Sequence, residues 1–342
     1  MDVQPKLSPD WRARFKEAEE ALGGAVLGQG EAIRLVLLST LCRGHALLAG
    51  DVGVGKTTLL RAVARVIGGP YTRIEGAVDL LPSDLLYTAH LGADGRPRVE
   101  PGPILSRGED LSVFFFNEIN RARPQVHALL LRLMAERSLS AFQRDYAFPH
   151  VQVFADRNQI ERDETFELPA AARDRFLMEI AVRAPAAPED RMALAFDTRF
   201  HDVDALVGAL PEGVLPYRDL NALARGIQES LHVSPALKAY LFALCEALRD
   251  PAGAGLSLEE ADVSHLVRGG VSPRGMQALA RVARAEAWLQ GREAVLPQDV
   301  RRVFAPVMAH RTFLHPAYEP RRGDLMPALI EAAIRRVPAP AS

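Results

Sequence analysis

His45-Ala46-Leu47-Leu48-Ala49, followed at once by Gly50-Asp51-Val52-Gly53-Val54-Gly55-Lys56-Thr57-Thr58, is the stretch that decides the fold. An apolar strand, a glycine-rich turn and a helix start carrying Lys-Thr are the parts of a phosphate-binding P-loop. The glycines let backbone N–H groups turn toward phosphate oxygens, and the helix behind them presents its positive N-terminus. Lys56 is one of four lysines among 41 basic residues, the others being arginine. A compact ammonium meets β- and γ-phosphate oxygens as a point charge where the flat guanidinium fork does not. Thr57 offers a hydroxyl to Mg²⁺. The helix is expected over residues 57–67, with Leu59, Leu60, Val63, Ala64 and Ile67 on one side and Gly68-Gly69-Pro70 as its stop. The stretch predicts a nucleotide site in which Gly50 to Thr58 hold the phosphates.

Working outward, short apolar strands are predicted at 45–49, 71–75, 112–116, 151–155 and 176–182. The segments between them are helical patterns or long loops, which predicts a mostly parallel sheet. Such sheets gather ligands at the carboxyl ends of their strands. The P-loop, Asn117-Glu118 and Asp156-Arg157-Asn158 each follow a predicted strand, which points to one shared site. Asp94-Gly95 reads as a type I′ hairpin turn, and a second hairpin is expected over 138–148. Beyond the Pro-rich linker 183–188 the chain reads as helical, with helices at 188–200, 220–230, 235–248, 273–290 and 297–308. The expected organisation is an α/β domain over 1–199, with a hairpin insertion near 86–104, and a smaller all-helical domain over 200–342 whose last residues are disordered.

Composition narrows the function. At 342 residues the chain has room for about two domains. Hydrophobic content of 48% and charged content of 25% are those of an ordinary soluble globular protein. A formal net charge of −2 leaves no basic footprint for nucleic acid. No apolar run reaches the roughly 18 residues of a membrane span, and no secretory h-region opens the chain. With Cys42 and Cys245 in apolar helical patterns, the expectation is a reduced, cytoplasmic protein. The nine histidines lack metal-ligand spacing.

Val113-Phe114-Phe115-Phe116-Asn117-Glu118 delivers two polar residues from a buried strand to the sheet edge. Glu118 is the candidate general base for an attacking water. Asn117 is a candidate metal contact; its amide keeps an oxygen acceptor but lacks the charge of a carboxylate, and it can equally cap the next turn. Asn158 is placed to hydrogen-bond a γ-phosphate or its water, or to make an Asx-turn. Arg274 follows Ser272-Pro273 in the first turn of a helix, where a cation opposes the macrodipole. That placement points to an anion in front of it. Arg175, in Arg173-Asp174-Arg175-Phe176, can reach the γ-phosphate of a neighbouring subunit or pair locally with Asp174.

Taken together these residues resemble the MoxR family of AAA+ ATPases, in the clade of magnesium chelatase and MCM-type proteins. The resemblance runs from about Val26 to Arg311. It is carried by Leu27-Gly28-Gln29, the P-loop, Asp79-Leu80-Leu81-Pro82-Ser83-Asp84-Leu85, Glu100-Pro101-Gly102-Pro103-Ile104, Asn117-Glu118-Ile119-Asn120-Arg121-Ala122, Leu168-Pro169, Asp174-Arg175-Phe176-Leu177 and Gly270-Val271-Ser272-Pro273-Arg274. It implies a ring-forming, usually hexameric ATPase that uses ATP and Mg²⁺. Glu118 would be its catalytic acid, Asn158 its first sensor, Arg175 its finger in trans and Arg274 its second sensor. It also implies a chaperone-like motor that remodels a client, often in metalloenzyme maturation, with a von Willebrand factor A domain partner. The sequence departs from the family at three places. Asn117 stands where the family has an acid beside Mg²⁺, Asp156-Arg157 precede Asn158 where the family favours Thr-Gln, and Asp51 replaces a usual proline. Arg173 is a second finger candidate. Asn117 leaves a further reading open, a nucleotide-gated scaffold with slow hydrolysis.

Overall fold

The protein is described here by a computed structural model covering residues 9–92, 94–158 and 166–340. Its contacts divide the chain into two units, one holding described residues of 9–175 with Ile180–Asn221, the other Phe176–Glu179 with residues 222–340. Ala341 and Ser342, among the last residues expected to be disordered, lie outside the described residues.

In the first unit α1 (Pro9–Ala25) and α2 (Gly30–Leu41) precede β1 (Ala46–Ala49), and α3 (Lys56–Ile67) leads to β2 (Tyr71–Glu75). A short α4 (Pro82–Leu86) opens the hairpin of β3 (Tyr87–Leu91) and β4 (Pro97–Pro101). Then come β5 (Val113–Asn117), α5 (Pro124–Glu136), the hairpin of β6 (Ser138–Ala141) and β7 (Arg144–Ala147), and β8 (Gln152–Arg157). The helix α6 (Ala170–Arg173), β9 (Met178–Ala181, which the division crosses after Glu179), α7 (Pro188–Phe196) and α8 (Val203–Gly208) follow.

All five predicted strands join one sheet, in the order β2-β5-β8-β1-β9. The pairs β2/β5, β5/β8 and β1/β8 are parallel. Parallel neighbours need crossovers; α5 lies in the one from β5 to β8, and α3 carries the chain from β1 to β2 at the edge. Phe114, Phe115 and Phe116 are fully buried in β5, as is Phe154 in β8. A strand covered on both faces reads as an unbroken apolar run, and that is why β5 was legible. The helix α3 turns Leu59, Leu60, Val63 and Ile67 into this core. Helix α1 was not anticipated, because its buried stripe of Phe15, Ala18 and Leu22 is narrow and set among Lys16, Glu17, Glu19 and Glu20.

Three expectations are corrected. The first hairpin turn is wider than type I′: Gly95 takes a φ of 72°, its N–H bonds Gly92 O at 2.8 Å, and Asp94 Oδ1 accepts from Arg96 N. Segment 200–221, expected in the second domain, belongs to the first unit. There Gly213 N and Leu215 N each donate at 3.0 Å to the last turn of α3, at Arg65 O and Val66 O. Finally, the second unit is not wholly helical. It contains α9 (Leu220–Ser230, starting at the division), α10 (Pro235–Arg249), β10 (Val267–Gly269), α11 (Pro273–Leu289), α12 (Pro297–Met308), β11 (Phe313–Leu314) and α13 (Arg322–Arg336), and β10 pairs antiparallel with β11.

Ser234 and Ser272 cap α10 and α11 ahead of a proline, as their Ser-Pro starts predict. The strand β9 begins later than expected because the carbonyls before it are already taken. Phe176 O accepts from His310 Nε2 at 3.0 Å and from Arg311 Nη2 at 2.6 Å, and Leu177 O accepts from Arg311 Nη1 at 2.9 Å.

Candidate functional site

The P-loop leaves β1 through Gly50, where an added Cβ would lie 2.1 Å from Val182 O, so glycine alone fits. Gly53 and Gly55 take φ of 79° and 90°, and Gly55 caps α3. The loop stands open: Asp51, Val52 and Gly53 are exposed, while Thr57 and Thr58 are half-buried in the first turn of α3. Lys56, by contrast, is buried. Its Nζ donates to Gly50 O at 2.8 Å, Asp51 O at 2.7 Å and Asn158 Oδ1 at 2.8 Å. Buried Gln29 holds the loop from behind, donating through Nε2 to Val54 O at 3.4 Å and to Arg183 O. Leu27-Gly28-Gln29 and the Pro-rich linker therefore clasp the loop together.

The other strand ends converge on Lys56. Asn117 closes β5; its Oδ1 accepts from Thr57 Oγ1 at 3.4 Å, and its Nδ2 donates to Glu75 Oε1 at the end of β2. Glu118 follows in the left-handed region, at φ 52° and ψ 51°. Its N–H donates to Asp156 Oδ1 at 2.5 Å, its Oε1 accepts from Asn158 Nδ2 at 3.0 Å, and its Oε2 accepts from Arg121 Nη1 at 2.9 Å. An unbroken path thus runs from the Lys56 ammonium through the Asn158 amide to the Glu118 carboxylate. His127 of α5, itself buried, supports the turn below by donating from Nε2 to Ile119 O at 2.8 Å. Burial holds its imidazole below the usual range.

Asp156 is 2% exposed, and burial pushes its carboxyl up to about 6. The Glu118 N–H and the Lys56 charge pull it back down, while the Glu118 and Glu75 carboxylates add to the rise.

The remaining predicted residues lie elsewhere. Arg175 donates from Nη1 to Ala171 O at 2.9 Å, in its own helical turn after α6. Arg173 is the last residue of α6. Arg274 is in the first turn of α11, in the second unit, behind the Ser272 cap. Sequence reasoning placed Asp156 at the shared site without giving it a role, and it missed Glu75 and Arg121 as members of the cluster. For Glu75 the signal present was its place at the carboxyl end of β2, in the same sheet. Nothing in the sequence marked Arg121 as the partner of Glu118.

The donors around the cluster are backbone N–H groups, one ammonium, hydroxyl and amide oxygens, and carboxylates. That set suits a phosphate chain carrying a hard, oxygen-seeking cation. Among the described residues no group of three or more His, Cys, Asp or Glu is arranged to hold a metal by itself. A cation at this site would accordingly arrive with the phosphates.

The chain matches the model of the ATPase family associated with various cellular activities (AAA) over residues 45–178, and that of the AAA lid domain over 259–331. It is 73% identical over 333 residues to Protein MoxR of Paracoccus denitrificans, covering 97% of this chain and 98% of the relative. The chain belongs to the MoxR family of AAA+ ATPases. Among more distant MoxR relatives, Chaperone MoxR1 of Mycobacterium tuberculosis is 32% identical, over 89% of this chain and 76% of its own. A solved structure of a candidate ATPase from Cytophaga hutchinsonii superimposes with a TM-score of 0.82 at 28% identity, covering 97% of this chain and 96% of its own. For this MoxR-family member the α/β domain with a predominantly helical lid, read from the P-loop outward, is thereby shown. Among the described residues no helix is long and apolar enough to cross a membrane.

Proposed function

We propose that this MoxR-family ATPase hydrolyses ATP at the strand-end cluster and spends the cycle on remodelling a client protein. The observation that carries the reading is the path from Lys56 through Asn158 to Glu118, which ties the phosphate loop to a carboxylate suited to act as a base. With nucleotide present, Lys56 Nζ would exchange the Gly50 and Asp51 carbonyls for phosphate oxygens, and the loop N–H groups would hold the rest. Asn158, released from Lys56, would orient the attacking water. Glu118 would take a proton from that water at a carboxylate oxygen, after Arg121 or Asn158 lets it go. Thr57 Oγ1 and Asn117 Oδ1 would hold Mg²⁺, which supplies charge neutralisation between phosphate oxygens when bound.

Arg175 would serve a neighbouring subunit's site in a ring, with six subunits as the family expectation, and Arg274 would sense the phosphates of its own. A chaperone among the relatives supports client remodelling. Metalloenzyme maturation, a von Willebrand factor A domain partner and a cytoplasmic setting extend the same reading. A second reading, a nucleotide-gated scaffold with slow turnover, is favoured by neutral Asn117 beside Thr57. The two divide on the steady-state turnover of wild type, and one variant tests the base. Glu118→Gln should bind ATP as wild type does and lose turnover; wild-type turnover in that variant would overturn the role of Glu118.

A further inference from the structure

We propose that Asp156 is a positioning residue for Glu118, holding the backbone of the base in the left-handed turn that brings its carboxylate onto Asn158. This rests on the reading of Glu118 given above. The need for such a residue follows from strand geometry. Successive side chains of a strand point to opposite faces, so Asn117 and Glu118 would part company if β5 simply continued. They do not part: Asn117 meets Thr57 and Glu75, and Glu118 meets Asn158 one strand over. The left-handed residue at 118 redirects the chain so that both reach one cluster. That conformation is unfavourable for any residue with a Cβ, and glutamate has no side-chain device that eases it. Something outside must hold it.

Three contacts do. The Glu118 N–H, turned out of the ladder, is received by the Asp156 carboxylate at 2.5 Å, the stronger charge-assisted kind of hydrogen bond. Asn158, two residues on and just past the end of β8, receives the other end of Glu118 through its carboxylate. Residues 156 and 158 thus grip backbone and side chain of the same glutamate. Below, Gly76 N donates to Asn117 O at 2.7 Å, and a Cβ on Gly76 would lie 2.1 Å from Glu118 O, so the turn also needs glycine beneath it. A carboxylate buried to this degree is costly unless it is hydrogen-bonded, and the Glu118 N–H is the bond that offsets part of the cost.

The test compares wild type with Asp156→Ala, Asp156→Asn and Glu118→Gln, in the full chain. Binding is read with a fluorescent ATP analogue, turnover at steady state, folding by thermal melting, and the Glu118 amide by hydrogen exchange. Asp156→Ala should keep nucleotide affinity within about 3-fold while kcat falls on the order of 10²-fold, as expected when a base is misplaced. Asp156→Asn, which keeps a neutral acceptor, should fall less and melt no lower than wild type near neutral pH. In Asp156→Ala the Glu118 amide should lose protection. The inference is overturned if both Asp156 variants turn over like wild type beside an inactive Glu118→Gln, or if their loss of turnover only tracks a loss of binding and stability. Wild-type turnover in Glu118→Gln would instead overturn the base assignment, and this inference with it.

Discussion

Asp156 combines a buried negative charge with a carboxyl raised to about 6, and this makes a stability prediction of definite sign. The folded chain holds the proton more tightly than the unfolded chain, whose Asp titrates near 3.9. Stability contributed by the protonated form is present below about pH 4 and is lost as pH rises through about 6. Asp156→Asn removes that loss. The variant should gain on wild type between pH 4 and 7, by at most about 3 kcal/mol, in urea melts across that range. A gain that is flat with pH would mean Asp156 titrates normally. Lys56 and Glu118 were legible in sequence because a glycine pattern and a polar break after an apolar strand are local signals. That Glu75 and Asp156 flank the same residues was not, since only the side-by-side placement of β2, β5 and β8 gives those carboxylates a shared neighbour.

At the scale of elements, β1, β5 and β8 could be read because burial on both faces leaves apolar runs, while β2 carries Thr72 and Arg73 within a half-buried run. Helix α1 was missed because it is mostly charged, and α2, buried along nearly its whole length, showed only as the apolar helical pattern around Cys42. The pair β10/β11 is too short to leave a pattern. The start of β9 depends on a contact far away in sequence: Arg311, 2% exposed, donates to the carbonyls of Phe176, Leu177 and Val307. Arg311→Met keeps the length and apolar stem but withdraws those donors. It should cost about 3 kcal/mol in urea unfolding and raise amide exchange along residues 178–181. Unchanged stability would mean the carbonyls find other donors at no cost.

For the whole molecule, the first unit supplies the cluster, which on the proposed reading holds the phosphate loop, the base and a sensor. Neutralising transition-state charge falls, on the proposed reading, to Arg175 of a neighbouring copy. Arg175→Ala alone should bind nucleotide and lose hydrolysis, as should Glu118→Gln alone. Mixed rings should regain part of the activity, since an intact Glu118 can then meet an intact Arg175 across an interface. No recovery at any mixing ratio would remove the support for an arginine acting in trans. The central claim, that the cluster around Lys56 turns over ATP, is tested most directly by steady-state phosphate release from wild type beside Lys56→Ala, with nucleotide binding measured on the same samples. The account predicts turnover in wild type and loss of both binding and turnover in the variant; wild-type release no higher than that of Lys56→Ala would contradict it.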